Sequence, residues 1–368
     1  MAFINLKNVG RPVLETHIPL AARLDLDEQT LERERRLLAD SRELSLGLNR
    51  LHEEYRRRIR EMVGEERYRE NLPRFLDLQN RFAALAEKRA LTPESERQMR
   101  ELHRRLAGEK HEFYHGLGID LPQVIQMRDE VIARAGEIVE RSLHREQEMP
   151  PEDIPEPEPT DNPWSWRFPP YAHQWGAIIT SYGTHPNGKI WKSAGANAQT
   201  GQLSLSSWIE LWGAGDSDYL KTDAMCEVGF WFQMPAAGLL DVWAYYQDIN
   251  TDYTGFLYDE SGCSDADVHQ LSRLYLWTQG STERYNTAVE VKKGEDDEGS
   301  WASYHTAPGT VVAVHFFSQR AYAAGEWVYG AIGVKDYNYF WVDDMTCRAR
   351  MVSQWFVKQI AVRSTGAP

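Results

Sequence analysis

Between residues 170 and 363 aliphatic and aromatic side chains alternate, and this pattern limits what the chain can fold into more than any other feature. In Leu203–Trp212 one set of alternate positions holds Leu203, Leu205, Ile209 and Leu211, and the other holds Trp208 and Trp212. In Cys226–Met234, Cys226, Val228, Phe230, Phe232 and Met234 oppose Glu227, Gly229 and Trp231. Leu239–Tyr246 sets Leu240, Val242 and Ala244 against Asp241, Trp243 and Tyr245. Arg273–Trp277 sets Leu274 and Leu276 against Tyr275 and Trp277, and Trp327–Val334 sets Val328, Ile332 and Val334 against Trp327 and Tyr329. Asn338–Asp343 closes the series with Tyr339 and Trp341. A period of two belongs to a pleated strand whose faces meet different surroundings. Turn signals such as Pro186-Asn187-Gly188 and Ala307-Pro308-Gly309 separate these runs, and no long helical pattern intervenes. Residues 164–368 are therefore expected to form an antiparallel all-β sandwich, jelly-roll-like, with about eight to ten strands.

The first half differs chemically, since all 13 Trp lie at or after Trp164. Residues 25–146 carry helical spacings. Asp25 with Glu28 fits a capping box, and Leu44, Leu48, Leu51, Tyr55, Ile59 and Met62 form one stripe on a helix ending before Gly64. A second helix is expected over Leu72–Ala90. A third opens at Thr92-Pro93-Glu94 and stops at Gly116 and Gly118. Asp120 caps a fourth, which bears the columns Val124/Val131/Ile138 and Ile125/Ile132/Val139. Branched residues at both seam positions favour trimers or tetramers over dimers. The region is therefore expected to be a helical bundle or coiled-coil-like stalk that makes the chain a homo-oligomer, a trimer above all. Residues 147–163, rich in Pro and acid, are expected to be an extended linker. Residues 1–24 are expected to be irregular, with Phe3, Ile4 and Leu6 able to form a short docking strand. The whole is then an α+β multidomain chain.

A net charge of −14 argues against nucleic acid as a partner, because phosphates call for a basic face. No apolar run approaches the roughly 20 residues of a membrane span. Cys226, Cys263 and Cys347 have no metal-like spacing and read as free thiols of a reducing compartment. The start lacks the basic-then-apolar order of a signal peptide, so a cytoplasmic product is expected, or one exported without such a peptide. No cofactor is implied.

Two motifs invite metal chemistry. His111-Glu112-Phe113-Tyr114-His115 sets two imidazoles one helical turn apart beside a carboxylate, the arrangement in which Glu112 acts as base on zinc-bound water. Leu121 stands where the longer form of that motif needs a third His, so a chance match at a helix end is the preferred explanation. Asp248, Asn250, Asp252 and Asp259 partly follow a calcium loop, but Tyr253 occupies the glycine position and the flanks read as strands. An ordinary polar connection is preferred there.

The aromatic face remains: Trp208, Trp212, Trp231, Trp243, Tyr245, Tyr275, Trp277, Trp327, Tyr329, Tyr339 and Trp341. A monomer does not leave so large an apolar area in water. The rings are buried between copies, or belong to a core, or form a groove where sugars stack. The reading favoured by the sequence is a non-enzymatic oligomeric assembly and recognition protein, which resembles fibre and adhesin-like proteins in architecture only. Its helices gather copies and its head binds a surface protein or glycan. The alternatives are a lectin-like carbohydrate-binding module without a structural role, and a zinc metallopeptidase.

Overall fold

The computed structural model describes residues 3–5, 20–86, most of 101–144, 163–182, 188–212, 218–259, 265–293 apart from 282, 299–304, 309–343 and 345–366. The molecule is mostly β-sheet, in two antiparallel sheets. Its strands are β1 (Phe3–Asn5), β2 (Ser165–Arg167), β3 (His173–Tyr182), β4 (Gly188–Asn197), β5 (Gln202–Trp212), β6 (Asp218–Gln233), β7 (Leu239–Asp259), β8 (Asp265–Thr278), β9 (Arg284–Lys293), β10 (Gly299–Tyr304), β11 (Val311–Phe317), β12 (Trp327–Asp343) and β13 (Met345–Thr365). The first sheet runs β1-β3-β6-β12-β8-β9. The second runs β10-β7-β13-β5-β4, with β11 also on β7 and β2 also on β13.

Period two decides which side chains meet. Val228, Phe230, Leu274, Ile332 and Val334 of the first sheet interdigitate with Leu203, Leu205, Val242, Tyr246, Val357 and Val362 of the second. At the other end of the sandwich Leu220, Val268, Phe340 and Val342 meet Ile209, Leu211, Tyr253 and Met351. Between these apolar ends lies a polar belt. Asp336 accepts hydrogen bonds from Ser272 Oγ (2.8 Å) and Tyr253 Oη (3.0 Å), and all three residues are fully buried. Cys226 and Cys347 are free and buried; Cys263 lies outside the described residues.

Among the described residues the helices are α1 (Leu20–Val63), α2 (Glu65–Ala86) and α3 (Leu121–His144), and residues 111–116 end a further helix whose expected start at Thr92 lies outside the described residues. The stripe on α1 and the stop at Gly64 are where the sequence puts them, and Gly64 takes the left-handed φ of +83°. The second helix starts earlier than expected, at Glu65, because Glu65 and Glu66 supply the acid its first turn favours. Pro73 lies inside it as a result.

The expected bundle or coiled-coil stalk is corrected: no separate helical domain is seen among the described residues. Leu44, Leu48, Leu51 and Tyr55 of α1 and Val124, Val131 and Ala135 of α3 share one core with Tyr219, Leu271, Tyr337, Tyr339 and Trp341 of the first sheet. Asn49 accepts a hydrogen bond from Tyr219 (3.1 Å) across that junction. The physical reason is that the α1 stripe and one branched column of α3 bury each other on the sheet. Val124 and Val131 are thereby spent inside one chain, with Ile138 packed against the same core. The side chains of Ile125, Ile132 and Val139 lie outside the described residues, as do residues 147–162 of the expected linker. Phe3–Asn5 of the expected irregular N-terminus pairs with β3, Phe3 opposite Thr180.

Candidate functional site

The rings singled out in the sequence whose side chains are described point away from the sandwich interior but do not form one face. Tyr339 and Trp341 lie under the helices, fully buried. Trp231, Tyr275, Trp277 and Tyr329 form a second buried cluster at the other end of the first sheet, with Trp327 packed at its edge. The Tyr329 ring lies over Gly229 and the Tyr275 ring over Gly333, where a Cβ would collide with them. Tyr275 Oη also donates to Glu227 (2.7 Å). Buried rings set into glycine gaps are structural. Trp208, Trp243 and Tyr245 sit on the outer face of the second sheet and keep contact with solvent. Trp212 ends β5, and its side chain lies outside the described residues.

That second-sheet face holds the best-built site. The register aligns His315 of β11, Trp243 of β7, Ala361 of β13 and Trp166 of β2 in one row across four strands. The His315 ring stacks on Trp243 at 4.1 Å with planes 14° apart, and meets Phe317 edge-on at 4.5 Å. Trp166 stacks on Tyr245 at 6.2 Å. Trp166 is 45% exposed and Phe168, two residues on, 56%. Single exposed rings are common on proteins, but rings grouped on one face in this way mark a surface that meets a partner.

The row is fixed from below by Asp241, a carboxylate almost wholly buried. Its Oδ1 lies 2.8 Å from His315 Nε2, and its Oδ2 accepts from Arg363 Nε at 2.9 Å. The Arg363 guanidinium lies 4.3 Å over the Trp164 ring. Charge-assisted hydrogen bonds of this kind are shorter and stronger than neutral ones. They lock an imidazole and a guanidinium against two indoles, so the face offers both apolar ring surface and hydrogen-bonding groups in fixed positions.

Several of these groups escape the sequence reading. Trp164, Trp166 and Phe168 alternate at period two, a signal that was there to be read. His315 reads as a packed or edge histidine, because its partners Asp241 and Trp243 are more than seventy positions away.

The metal motifs gain nothing from the fold. His111, Glu112 and His115 are exposed on the last turn of a helix, while Phe113 and Tyr114 between them point into the core. Asp248, Asn250 and Asp252 lie within the single strand β7 rather than in a connection between strands. Asp248 is buried and accepts from Thr251 Oγ1 at 3.0 Å. Asp259 ends that strand, and its side chain lies outside the described residues. Among the described residues no group of three or more His, Cys, Asp or Glu is placed to hold a metal ion, and no helix is long and apolar enough to cross a membrane.

No family model matches the chain, and no curated protein matches it. Among solved structures it is similar to TmCBM61 in complex with β-1,4-galactotriose, at 12% identity over 50% of this chain and 86% of that one, with a TM-score of 0.15. It is also similar to TmCBM27, a carbohydrate-binding module studied for mannan recognition (9% identity, 54% and 99% covered, TM-score 0.16). A third is the isomalto-dextranase of Arthrobacter globiformis T6 complexed with panose (11%, 46% and 35%, TM-score 0.15). At scores this low the likenesses carry no argument about this chain.

Proposed function

We propose that the outer face of the second sheet binds carbohydrate, and that the chain is a β-sandwich recognition protein acting by binding rather than catalysis. The observation that carries this is the row His315–Trp243–Ala361–Trp166 held by the buried Asp241. A pyranose has a C–H face that stacks on flat rings and an equator of hydroxyls that needs donors and acceptors beside them. Half-exposed indoles next to an imidazole and a guanidinium supply both, and stacking of this sort needs little reordering of the side chains. Self-association through the helices, the other expectation, has less behind it now that one branched column of α3 is used within the chain.

The test is affinity electrophoresis of the full chain in native gels containing soluble mannan, the glycan named for one structural neighbour, or β-1,4-galactan, the polymer corresponding to the galactotriose bound by another. Retardation by either glycan that disappears in Trp243→Ala supports the reading. Migration unchanged in both gels, or retardation indifferent to Trp243, sinks it.

A further inference from the structure

The aromatic row is one end of a longer surface. Followed back along β13 from Ala361, the outward side chains include Gln359, Gln354 and, opposite Trp208, Arg350. At that far end Trp191 of β4 and Trp208 of β5 are cross-strand partners with ring centroids 4.3 Å apart. Trp191 is 49% exposed. At about 3.3 Å per residue, the span from Arg350 to Ala361 is roughly 35 Å.

What lies between is flat and hydrogen-bonding. Ser193 and Ser206 place their hydroxyls 2.7 Å apart, and the Gln354 amide donates to Ser204 at 3.4 Å. Gly195, opposite Ser204, has nothing within 4 Å of where a Cβ would stand, so the floor there is open. An apolar protein partner wants a continuous apolar patch, and here the outward Val352 and Phe356 of β13 are interspersed with Gln354, Ser204 and the exposed Lys358.

The geometry points to two aromatic subsites on one track, occupied together by a single linear polysaccharide lying along β13. This rests on the carbohydrate reading above and adds the class of ligand. The chain stacks on Trp243 and Trp166 at one end and on Trp191 and Trp208 at the other, and the serine and glutamine groups meet its hydroxyls between. Two linked weak contacts bind far more tightly than either alone, provided the ligand spans them. A trisaccharide is too short to reach both.

The experiment compares soluble β-1,4-galactan with β-1,4-galactotriose, and mannan with mannotriose, by fluorescence titration of the full chain. Wild type binds polymer at least about tenfold more tightly than trisaccharide. Trp191→Ala, at an exposed position, lowers polymer affinity about tenfold and leaves trisaccharide affinity within a factor of about two. Gly195→Trp, which fills open space and obstructs the track, does the same. Trp243→Ala weakens both ligands. If Trp191→Ala and Gly195→Trp leave polymer binding unchanged while Trp243→Ala removes it, the track is overturned and the single-site carbohydrate reading stands. If wild type binds none of the four ligands, both fall. If Trp191→Ala changes only the molecular mass in solution, the far end is a contact between copies and the track is likewise overturned.

Discussion

Two buried aspartates show how differently one residue type is used. Asp241 sits between His315 and Arg363, and these two partners keep partial contact with water. Asp241→Ala removes two charge-assisted hydrogen bonds and frees the His315 ring from its fixed tilt on Trp243. It is expected to cost about 2 kcal/mol in urea unfolding and to weaken glycan binding, although the residue itself is almost wholly buried. Unchanged affinity for the glycan in a folded Asp241→Ala protein would show that the ring orientation does not matter. Asp336, by contrast, has no ion pair among the described residues, and its Oδ2 has no hydrogen bond among them. Burial pushes its carboxyl up to about 7, and the bonds from Ser272, Tyr253 and Ser353 only partly offset this. In the unfolded chain an aspartate titrates near 4. The folded state therefore holds a proton that the unfolded state has lost between those values, and stability falls as pH rises through that window. The loss is on the order of 2–4 kcal/mol between about pH 4 and 7. Asp336→Asn, neutral throughout, is expected to flatten this part of the stability profile. Equal slopes for the two proteins would show that the carboxyl is charged in the fold.

At the level of strands and helices, the outcome follows from what each stripe finds to cover it. Leu48 is fully buried where α1 meets α3 and the first sheet. Leu48→Ala is expected to cost about 2–5 kcal/mol, the range for an aliphatic side chain cut back in a close-packed core. A smaller loss, below about 1 kcal/mol by urea titration, would mean that the helices are only loosely laid on the sheet. The strands were legible because period two is a local signal: Leu203–Trp212 and Trp327–Val334 lie in strands, as does Cys226–Met234 apart from its last residue. The length of β7 was not. Asp248, Asn250 and Asp252 look like a loop by composition, yet β13 pairs with β7 through that stretch with register shifts, and pairing overrides propensity. The same limit applies to the site. Alternation shows that Trp243 and Trp231 both face outward, but which sheet each strand joins depends on long-range pairing. That pairing sends Trp243 to an open face and Trp231 to a buried cluster.

For the whole molecule, the decisive arrangement is that the two outer faces have opposite fates. The second sheet keeps its rings half-exposed among charged and polar groups. The first sheet turns Tyr219, Tyr337, Tyr339 and Trp341 outward, and α1 and α3 close over them. Among the described residues the hydroxyls of Tyr337 and Tyr339 have no hydrogen-bond partner, and burial drives both well above the ordinary tyrosine range. A fragment of residues 163–368 keeps every strand from β2 onward but loses that cover. Four large rings on a broad sheet would then face water, an area that soluble monomers do not leave open. The fragment is expected to bind a hydrophobic dye strongly and to self-associate in light scattering, while its second sheet still binds glycan. The full chain is expected to bind little dye. A fragment that stays monomeric and dye-free would show that the aromatic end of the first sheet is self-sufficient. The helices would then be an addition to the sandwich rather than its third layer.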